Sequence, residues 1–388
     1  MKVLCVLGTR PEAIKFVSVV RALQVSNRFE PIVCATGQHR DMLDQVLRAF
    51  DLRVDIDLNL MTPGQSPSDV TSQVLQALGR VLKEVNPDWV LVQGDTVTAF
   101  AAAIAAYFSR TRLGHIEAGL RTGAKFAPYP EELMRRGISV FTDAHFAPTN
   151  RARANLLEEG ISSERVWVTG NTGIDALHLA LKLLKGGGKL RDEIDQRFAF
   201  LRPEARLVLV TAHRRESFGK AFEEICLALR DIAKQSPDID LVYPVHLNPN
   251  VIDPVERILG PVRRVNNRWN KGGAHAPPNL HLIEPLDYFS FVYLMGRSEL
   301  IITDSGGIQE EAPSIGKPLL VMRDVTERQE AVEAGCALLV GTSRRRIVLE
   351  AMELLNNRTH YDAFAHKSNV FGDGESGRKI VQILGSLS

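Results

Sequence analysis

The chain has 388 residues, more than one hydrophobic core usually organises, so two domains are expected. Hydrophobic residues make up 45% and charged residues 24%, the balance of an ordinary globular protein. A net charge of +1 argues against a surface built to coat nucleic acid or an acidic membrane, and leaves room for a local basic site.

The elements follow a regular rhythm. "KVLCVLG" reads as a buried strand, and "PEAIKFVSVVRALQ" as a helix with proline in its first turn. "FEPIVCAT" is a strand, and a helix is expected from about His39 to Phe50. "SPSDVTSQVLQALGRVLKEV" is a helix capped by Ser66 or Ser68 and stopped by "NPD". Strand "WVLVQ", helix "VTAFAAAIAAYF", strand "RLGHIEA", a helix after Pro130, strand "AHFAP", a helix through Leu156 and strand "RVWVTG" come next.

"KGGGK", Lys185 to Lys189, reads as a hinge or loop. The rhythm then restarts with six strand candidates: "RLVLVTA", "DIDLVYPV", "LHLIEP", "ELIITD", "KPLLVM" and "CALLVG". Continuous Val/Ile/Leu runs suit strands covered on both faces, hence parallel sheets flanked by helices. Two such halves predict an α/β protein of two Rossmann-like domains with a central cleft, ligands meeting the strand ends. The segment Glu375 to Leu387 reads as a helix returning to the first half. Arg263 to Asn279, basic and rich in Gly, Asn and Pro, reads as a long surface loop.

Cys5, Cys34, Cys226 and Cys336 are widely spaced, with no C-x-x-C pair, so neither a zinc ribbon nor a redox motif is written. Cys5 and Cys34 lie in apolar runs and read as core residues. The longest uncharged central run, Thr96 to Ser109, is short of the ~18 apolar residues a membrane span needs. The first apolar stretch, ending at Gly8, is short of a signal peptide, and a cytoplasmic protein is expected. His115 and Glu117 form H-x-E, but no P-C-x-x-C follows, and there is no H-E-x-x-H, so no metal is expected.

Several strand ends carry chemistry. In "IITDSGGIQEEA" a strand ends, Ser305, Gly306 and Gly307 turn the chain, and a helix begins. Glycines let a phosphate approach the backbone, and free N–H groups at the helix start favour an anion. Glu310 or Glu311, in the first turns, suits a ribose diol. "GTRPEAIK" sets Arg10 and Lys15 behind strand one, where a solvated helix start would look the same. Asp95 in "VQGDT", Glu117 in "GHIEAGLRT" and Glu131 in "YPEELMRR" place three carboxylates at strand ends or helix starts, a pattern suited to acid–base work. Asp95 could instead cap a helix, and Glu131 complement a helix dipole. His213, followed by Arg214 and Arg215 in "TAHRRESFG", and His246 in "YPVHLNPN" end two further strands.

Taken together, "GTRPEAIK", "VQGDT", "GHIEAGLRT", "YPEE", "VTGNT", "TAHRRESFG", "YPVHLNPNV" and "TDSGGIQEEAPSIGKPLLVMRDVTERQEA" resemble the non-hydrolysing UDP-N-acetylglucosamine 2-epimerases, in order and over nearly the whole chain. The resemblance implies a two-domain fold of the glycosyltransferase-B type. It implies an N-terminal domain over residues 1–170, a C-terminal nucleotide-binding domain over 171–367, and a last helix at about 368–388 packed back on the first. It also implies reversible conversion of UDP-N-acetylglucosamine to UDP-N-acetylmannosamine, for cell-surface polysaccharide precursors, without cofactor or metal, in a homodimer. UDP leaves across carbons one and two, and adds back while a proton returns to the opposite face of carbon two.

Carried over by resemblance, Asp95, Glu117 and Glu131 are the catalytic carboxylates, and His213 lies near the diphosphate. Arg10 and Lys15 line the site; Ser305, Gly306 and Gly307 hold phosphate; Glu311 holds the ribose; Leu286 and Phe291 hold uracil; Arg328 faces the nucleotide. Gln38, His39, Arg214 and His246 are the residues implied for a second, regulatory UDP-N-acetylglucosamine. Which carboxylate removes the proton is left open. Met134 stands where related sequences usually have asparagine, Gln329 where they have proline, and Asp41 where they often have Gln or Glu. A glycosyltransferase on the same fold, a nucleotide-sugar sensor and a hydrolysing relative are the alternative readings.

Overall fold

The computed structural model describes residues 1–37, 46–62, 64–126, 128–262, 277–366 and 368–387. The chain divides into two compact units, one of Met1–Leu179 with Phe371–Ser388 and one of Ala180–Val370. Gly186 to Gly188, read as a hinge or loop, form a loop after the helix Thr172–Lys185, whose last residues already belong to the second unit.

The first unit is built on seven strands: β1 (Lys2–Leu7), β2 (Glu30–Ala35), β3 (Ile56–Asp57), β4 (Trp89–Gln93), β5 (Arg112–Ile116), β6 (Ala144–Ala147) and β7 (Val166–Val168). All pair in parallel, in the order β3-β2-β1-β4-β5-β6-β7. Helices α1 (Arg10–Val25), α2 (Pro67–Val85), α3 (Val97–Phe108), α4 (Glu131–Phe141), α5 (Asn150–Glu158) and α6 (Thr172–Lys185) follow in turn. The two-residue β3 escaped the sequence reading because charged residues interrupt its apolar pattern. Of the helix expected at His39 to Phe50, residues 38–45 lie outside the described residues and 46–49 are helical.

Local chemistry explains why these helices start where they do. Ser66 caps α2 by accepting from the Asp69 N–H, Asp69 answers in a capping box, and Pro67 opens the first turn. Asn86 ends the helix in a left-handed conformation at φ 47°. The buried face of α2, Val70, Val74, Leu78, Val81 and Leu82, recurs at helical spacing and meets α3. The side of α3 facing it is mostly alanine, all buried, so the helix lies close to its neighbours.

The second unit repeats the plan with six strands: β8 (Arg206–Thr211), β9 (Ile239–Pro244), β10 (Leu280–Ile283), β11 (Ser298–Thr303), β12 (Leu319–Val321) and β13 (Ala337–Leu339). They are the six apolar runs of the sequence, paired in parallel in the order β10-β9-β8-β11-β12-β13. Its helices are α7 (Lys189–Arg197), α8 (Lys220–Gln235), α9 (Pro249–Leu259), α10 (Tyr288–Arg297), α11 (Gly306–Ser314), α12 (Gln329–Glu333), α13 (Arg344–Asn356) and α14 (Arg358–Phe364). Val208, Val210, Leu241, Leu300 and Ile302 form a core with Phe222, Ile225 and Leu229 of α8. Of the basic segment Arg263 to Asn279, residues 263–276 lie outside the described residues.

Helix α15 (Ser376–Ser386) closes the chain and packs on α1 within the first unit. Buried Asp175 accepts from the Ser376 and Gly377 N–H groups at 3.1 and 2.7 Å, and Arg112 Nη1 donates to the Leu387 carbonyl at 2.7 Å. All four cysteines are buried and unbridged, and burial pushes Cys34 and Cys226 up to about 12.

Both sheets thus have the doubly wound order, in which the first strand sits mid-sheet and the chain reverses direction beside it. In the first unit this switch point lies between β1 and β4; in the second it lies between β8 and β11. Ligands of such sheets bind beyond the strand ends at that place.

Candidate functional site at the two switch points

At the first switch point, Thr9 caps α1 and forms a capping box with Glu12. Glu12 is 1% exposed, yet its carboxylate is fully used. One oxygen accepts from the Gly8 N–H at 3.0 Å, the Thr9 N–H at 2.7 Å and the Thr9 hydroxyl at 2.8 Å. The other accepts from the Thr96 hydroxyl at 2.7 Å, just before α3. Burial pushes this carboxyl up, and those donors oppose the push. Glu12 therefore fastens the turn after β1 to the turn after β4. Thr96, not Asp95, caps α3, so the Asp95 carboxylate is left for other work.

Of the five charged residues marked in this half, four come together: Lys15, Glu117 and Glu131 are all in electrostatic reach of Asp95. Lys15 Nζ donates to Glu117 Oε2, and Gln93 Nε2 donates to the same oxygen at 2.9 Å. Glu117 has φ 66°, a left-handed conformation uncommon for a residue with a Cβ. Asp95 Oδ2 lies 2.9 Å from Arg135 Nη2. Burial pushes the Asp95 carboxyl up; Arg135 holds it down, Glu117 and Glu131 add to the rise, and Lys15 opposes it. Glu131 opens α4, and its buried Oε2 accepts no hydrogen bond from another described residue. Arg10 is half-buried at the first position of α1, with no ion pair to another described residue.

The turn after β4 is held from beneath by His115, which is wholly buried on β5 and lies 2.7 Å from the Gly94 carbonyl through Nε2. A carbonyl only accepts, so Nε2 carries the proton. Burial lowers the imidazole from 6.5 to about 4, and it stays neutral near pH 7. The loop after β5 is tied by Arg121, which forks onto both oxygens of Glu159 at 2.8 and 2.7 Å. Met134, 9% exposed, is packed into α4 one residue before Arg135.

At the second switch point, His213 and Arg214 follow β8 and Ser305 follows β11. The residue that joins them is Asp304, which is wholly buried. Its Oδ2 accepts from the His213 N–H at 2.6 Å and the Arg214 N–H at 2.7 Å. The His246 ring stacks on His213 with centroids 5.8 Å apart and planes 17° apart. Ser305 precedes α11, and Gly307 is exposed on its first turn. A Cβ on Gly306 would lie 3.3 Å from Arg328 Cζ and 3.4 Å from Arg214 Nη2, so glycine lets both guanidinium groups lie over the helix start.

Around that start runs an alternating chain of charges. Arg328 bonds Glu310 at 2.9 Å and Glu327 at 2.7 Å; Arg323 meets Glu327 at 2.8 Å and Glu216 at 2.6 Å. Arg214 lies 3.9 Å from Glu327. Burial pushes the Glu327 carboxyl up, but Arg328 and Arg323 outweigh it and hold the group below the ordinary range. The structure separates the two acids of "QEEA": Glu310 is buried against Arg328, while Glu311 is half-buried. Gln329, in the place of the expected proline, donates to the Thr326 carbonyl at 2.8 Å. Leu286 and Phe291 are half-buried before and within α10. Of the four residues marked as regulatory, Arg214 and His246 flank His213, while Gln38 and His39, like Asp41, lie outside the described residues.

Sequence reasoning passed over Gln93, Arg135, Asp304 and Glu327. The signals were present: Arg135 follows Glu131 by one helical turn, and Asp304 ends a strand directly before Ser-Gly-Gly. Doubly wound sheets with acids and cations at one switch point and a glycine-rich helix start at the other define an α/β enzyme of the nucleotide-binding class.

Comparison with known proteins makes this particular. A family profile described as UDP-N-acetylglucosamine 2-epimerase matches residues 21–385. The UDP-N-acetylglucosamine 2-epimerase of Escherichia coli strain K12 is 50% identical over 99% of this chain and 98% of its own. The crystal structure of UDP-GlcNAc 2-epimerase from Neisseria meningitidis, bound to UDP-GlcNAc, is 46% identical and matches all of both chains with a TM-score of 0.88. A glycosyltransferase from Rickettsia africae, 13% identical with a TM-score of 0.60, shares the fold. The chain belongs to the UDP-N-acetylglucosamine 2-epimerase family, and is an isomerase. Among the described residues no helix is long and apolar enough to cross a membrane.

Proposed function

We propose that the residues gathered at the two switch points interconvert UDP-N-acetylglucosamine and UDP-N-acetylmannosamine by elimination and re-addition of UDP. One carboxylate takes the proton from carbon two while the bond from carbon one to the phosphate oxygen breaks, its electron pair leaving with UDP. The 2-acetamidoglucal so formed accepts a proton on the opposite face as UDP returns. The reaction needs acids in different protonation states and donors for the departing diphosphate.

The observation that carries this reading is the contrast between Asp95 and Glu117. Glu117 takes hydrogen bonds from Lys15 and Gln93, which favour its ionised form as a base. Asp95 is pushed up by burial, which suits a group that carries a proton. Glu131 stands with them as the third acid. In the second unit, His213 and the amides at Ser305, Gly306 and Gly307 receive the diphosphate. Arg10 and Arg328 add positive charge, Glu311 takes the ribose, and Leu286 with Phe291 cover the uracil. The working form is a homodimer in the cytoplasm, a compartment consistent with four buried, unbridged cysteines.

The test is incubation with UDP-N-acetylglucosamine in deuterated water, followed by NMR at carbon two. Deuterium at carbon two of both sugars, with the manno product, is expected. Product without deuterium, or free N-acetylmannosamine with stoichiometric UDP, overturns the reading.

A further inference from the structure

We propose that Asp304 is the positioning residue of His213: it fixes the imidazole with Nδ1–H turned inward and keeps the ring able to hold a positive charge at Nε2. The inference rests on the reading in which His213 meets the diphosphate.

The geometry has three parts. Asp304 Oδ2 is taken up by two short amide hydrogen bonds, from His213 and Arg214, so the carboxylate is fixed against the loop that carries the imidazole. Its Oδ1 faces His213 Nδ1 at 3.4 Å and accepts no hydrogen bond from another described residue. The carboxylate is wholly buried, while the His213 side chain is 42% exposed, so the inner nitrogen meets a fixed charge and the outer edge faces outward. A carboxylate on Nδ1–H fixes the tautomer and leaves Nε2 as the working atom.

Among the described residues three charged or titratable groups act on His213. Asp304, at the end of β11, favours the imidazolium. His246, after β9, and Arg214, on the same loop, oppose it. Burial, the largest influence, also opposes it, and the balance lies below the ordinary 6.5. His246 has its own fixed tautomer, because its Nδ1 accepts the Asn248 N–H at 3.1 Å. A positive His213 therefore depends on Asp304. Its purpose is clear in the proposed reaction, where negative charge grows on the departing UDP and the imidazolium, donating through Nε2–H, stabilises it.

The experiment is histidine NMR on the full-length protein with ring-labelled histidine, using His213→Asn to assign the signal. In the unaltered protein the neutral ring is expected as the Nδ1–H tautomer; an Nε2–H tautomer overturns the proposal and needs no variant that must fold. In Asp304→Asn, whose amide oxygen can still accept the two N–H bonds, the His213 midpoint is expected to move to lower pH. The pH above which turnover declines with loss of the imidazolium is expected to move down by the same interval as the midpoint. An unmoved midpoint in Asp304→Asn overturns the proposal even if thermal stability falls. A midpoint that moves while turnover keeps its pH profile supports Asp304 as the setter of His213's charge. It removes His213 from the proposed reaction instead, so the two failures are told apart.

Discussion

The two switch points share a strand order and use it differently. In the first unit the carboxylate that spans the switch, Glu12, comes from a helix and touches only backbone amides and two hydroxyls. In the second, Asp304 comes from a strand end and touches two amides and an imidazole. Glu12 is purely a fastening, and in the proposed reaction the acid–base work falls to Asp95, Glu117 and Glu131. Asp304 fastens its loop and also faces a group that changes charge. In the proposed reaction one topology thus supplies a proton-handling half rich in carboxylates and an anion-receiving half rich in donors.

The division of labour breaks most visibly at Glu117. Glu117→Gln is expected to lower turnover about 10³-fold while UDP affinity stays within about 3-fold. Calorimetry with UDP checks this, and an equal loss of UDP binding would make Glu117 a nucleotide or folding residue. Glu12→Ala strands buried donors at the other carboxylate and is expected to lower unfolding free energy by about 3 kcal/mol. A loss in urea denaturation below about 0.5 kcal/mol would show that the turns hold without it.

Arg135→Met sharpens the electrostatic side of the comparison. Removing the cation that holds Asp95 down raises its carboxyl further, so the limb on which kcat/KM falls as pH rises is expected to move to higher pH. A limb that stays in place would detach Asp95 from the rate. The smallest effect is on stability. His145, buried beside His115 in β6, is lowered from 6.5 to about 3. Its folded-state value lies below the unfolded one, so its contribution is complete above 6.5 and is lost as pH falls from there toward 3. His145→Leu is expected to flatten the fall of Tm over that interval; an identical slope would place the acid lability elsewhere.

Much of this was legible in the sequence for physical reasons. Strands buried on both faces write themselves as unbroken Val/Ile/Leu runs, and the six of the second unit all became strands. Caps such as Ser66 and glycine turns such as Ser305 to Gly307 are local signals. What the sequence hid was pairing across distance. Lys15 and Glu117 are 102 positions apart, and Asp304 lies 91 from His213. Nothing local in "PEAIK" marks Glu12 as fully buried, or in "VQGDT" gives the cap to Thr96 rather than Asp95.

The claim that both switch points serve one reaction is tested most directly by a crystal structure with UDP and the substrate sugar. The diphosphate is expected on the amides of Ser305, Gly306 and Gly307 with His213 Nε2 in hydrogen-bond reach, and Asp95, Glu117 and Glu131 around carbon two. A diphosphate seated elsewhere, or those three acids turned from the sugar, would contradict it.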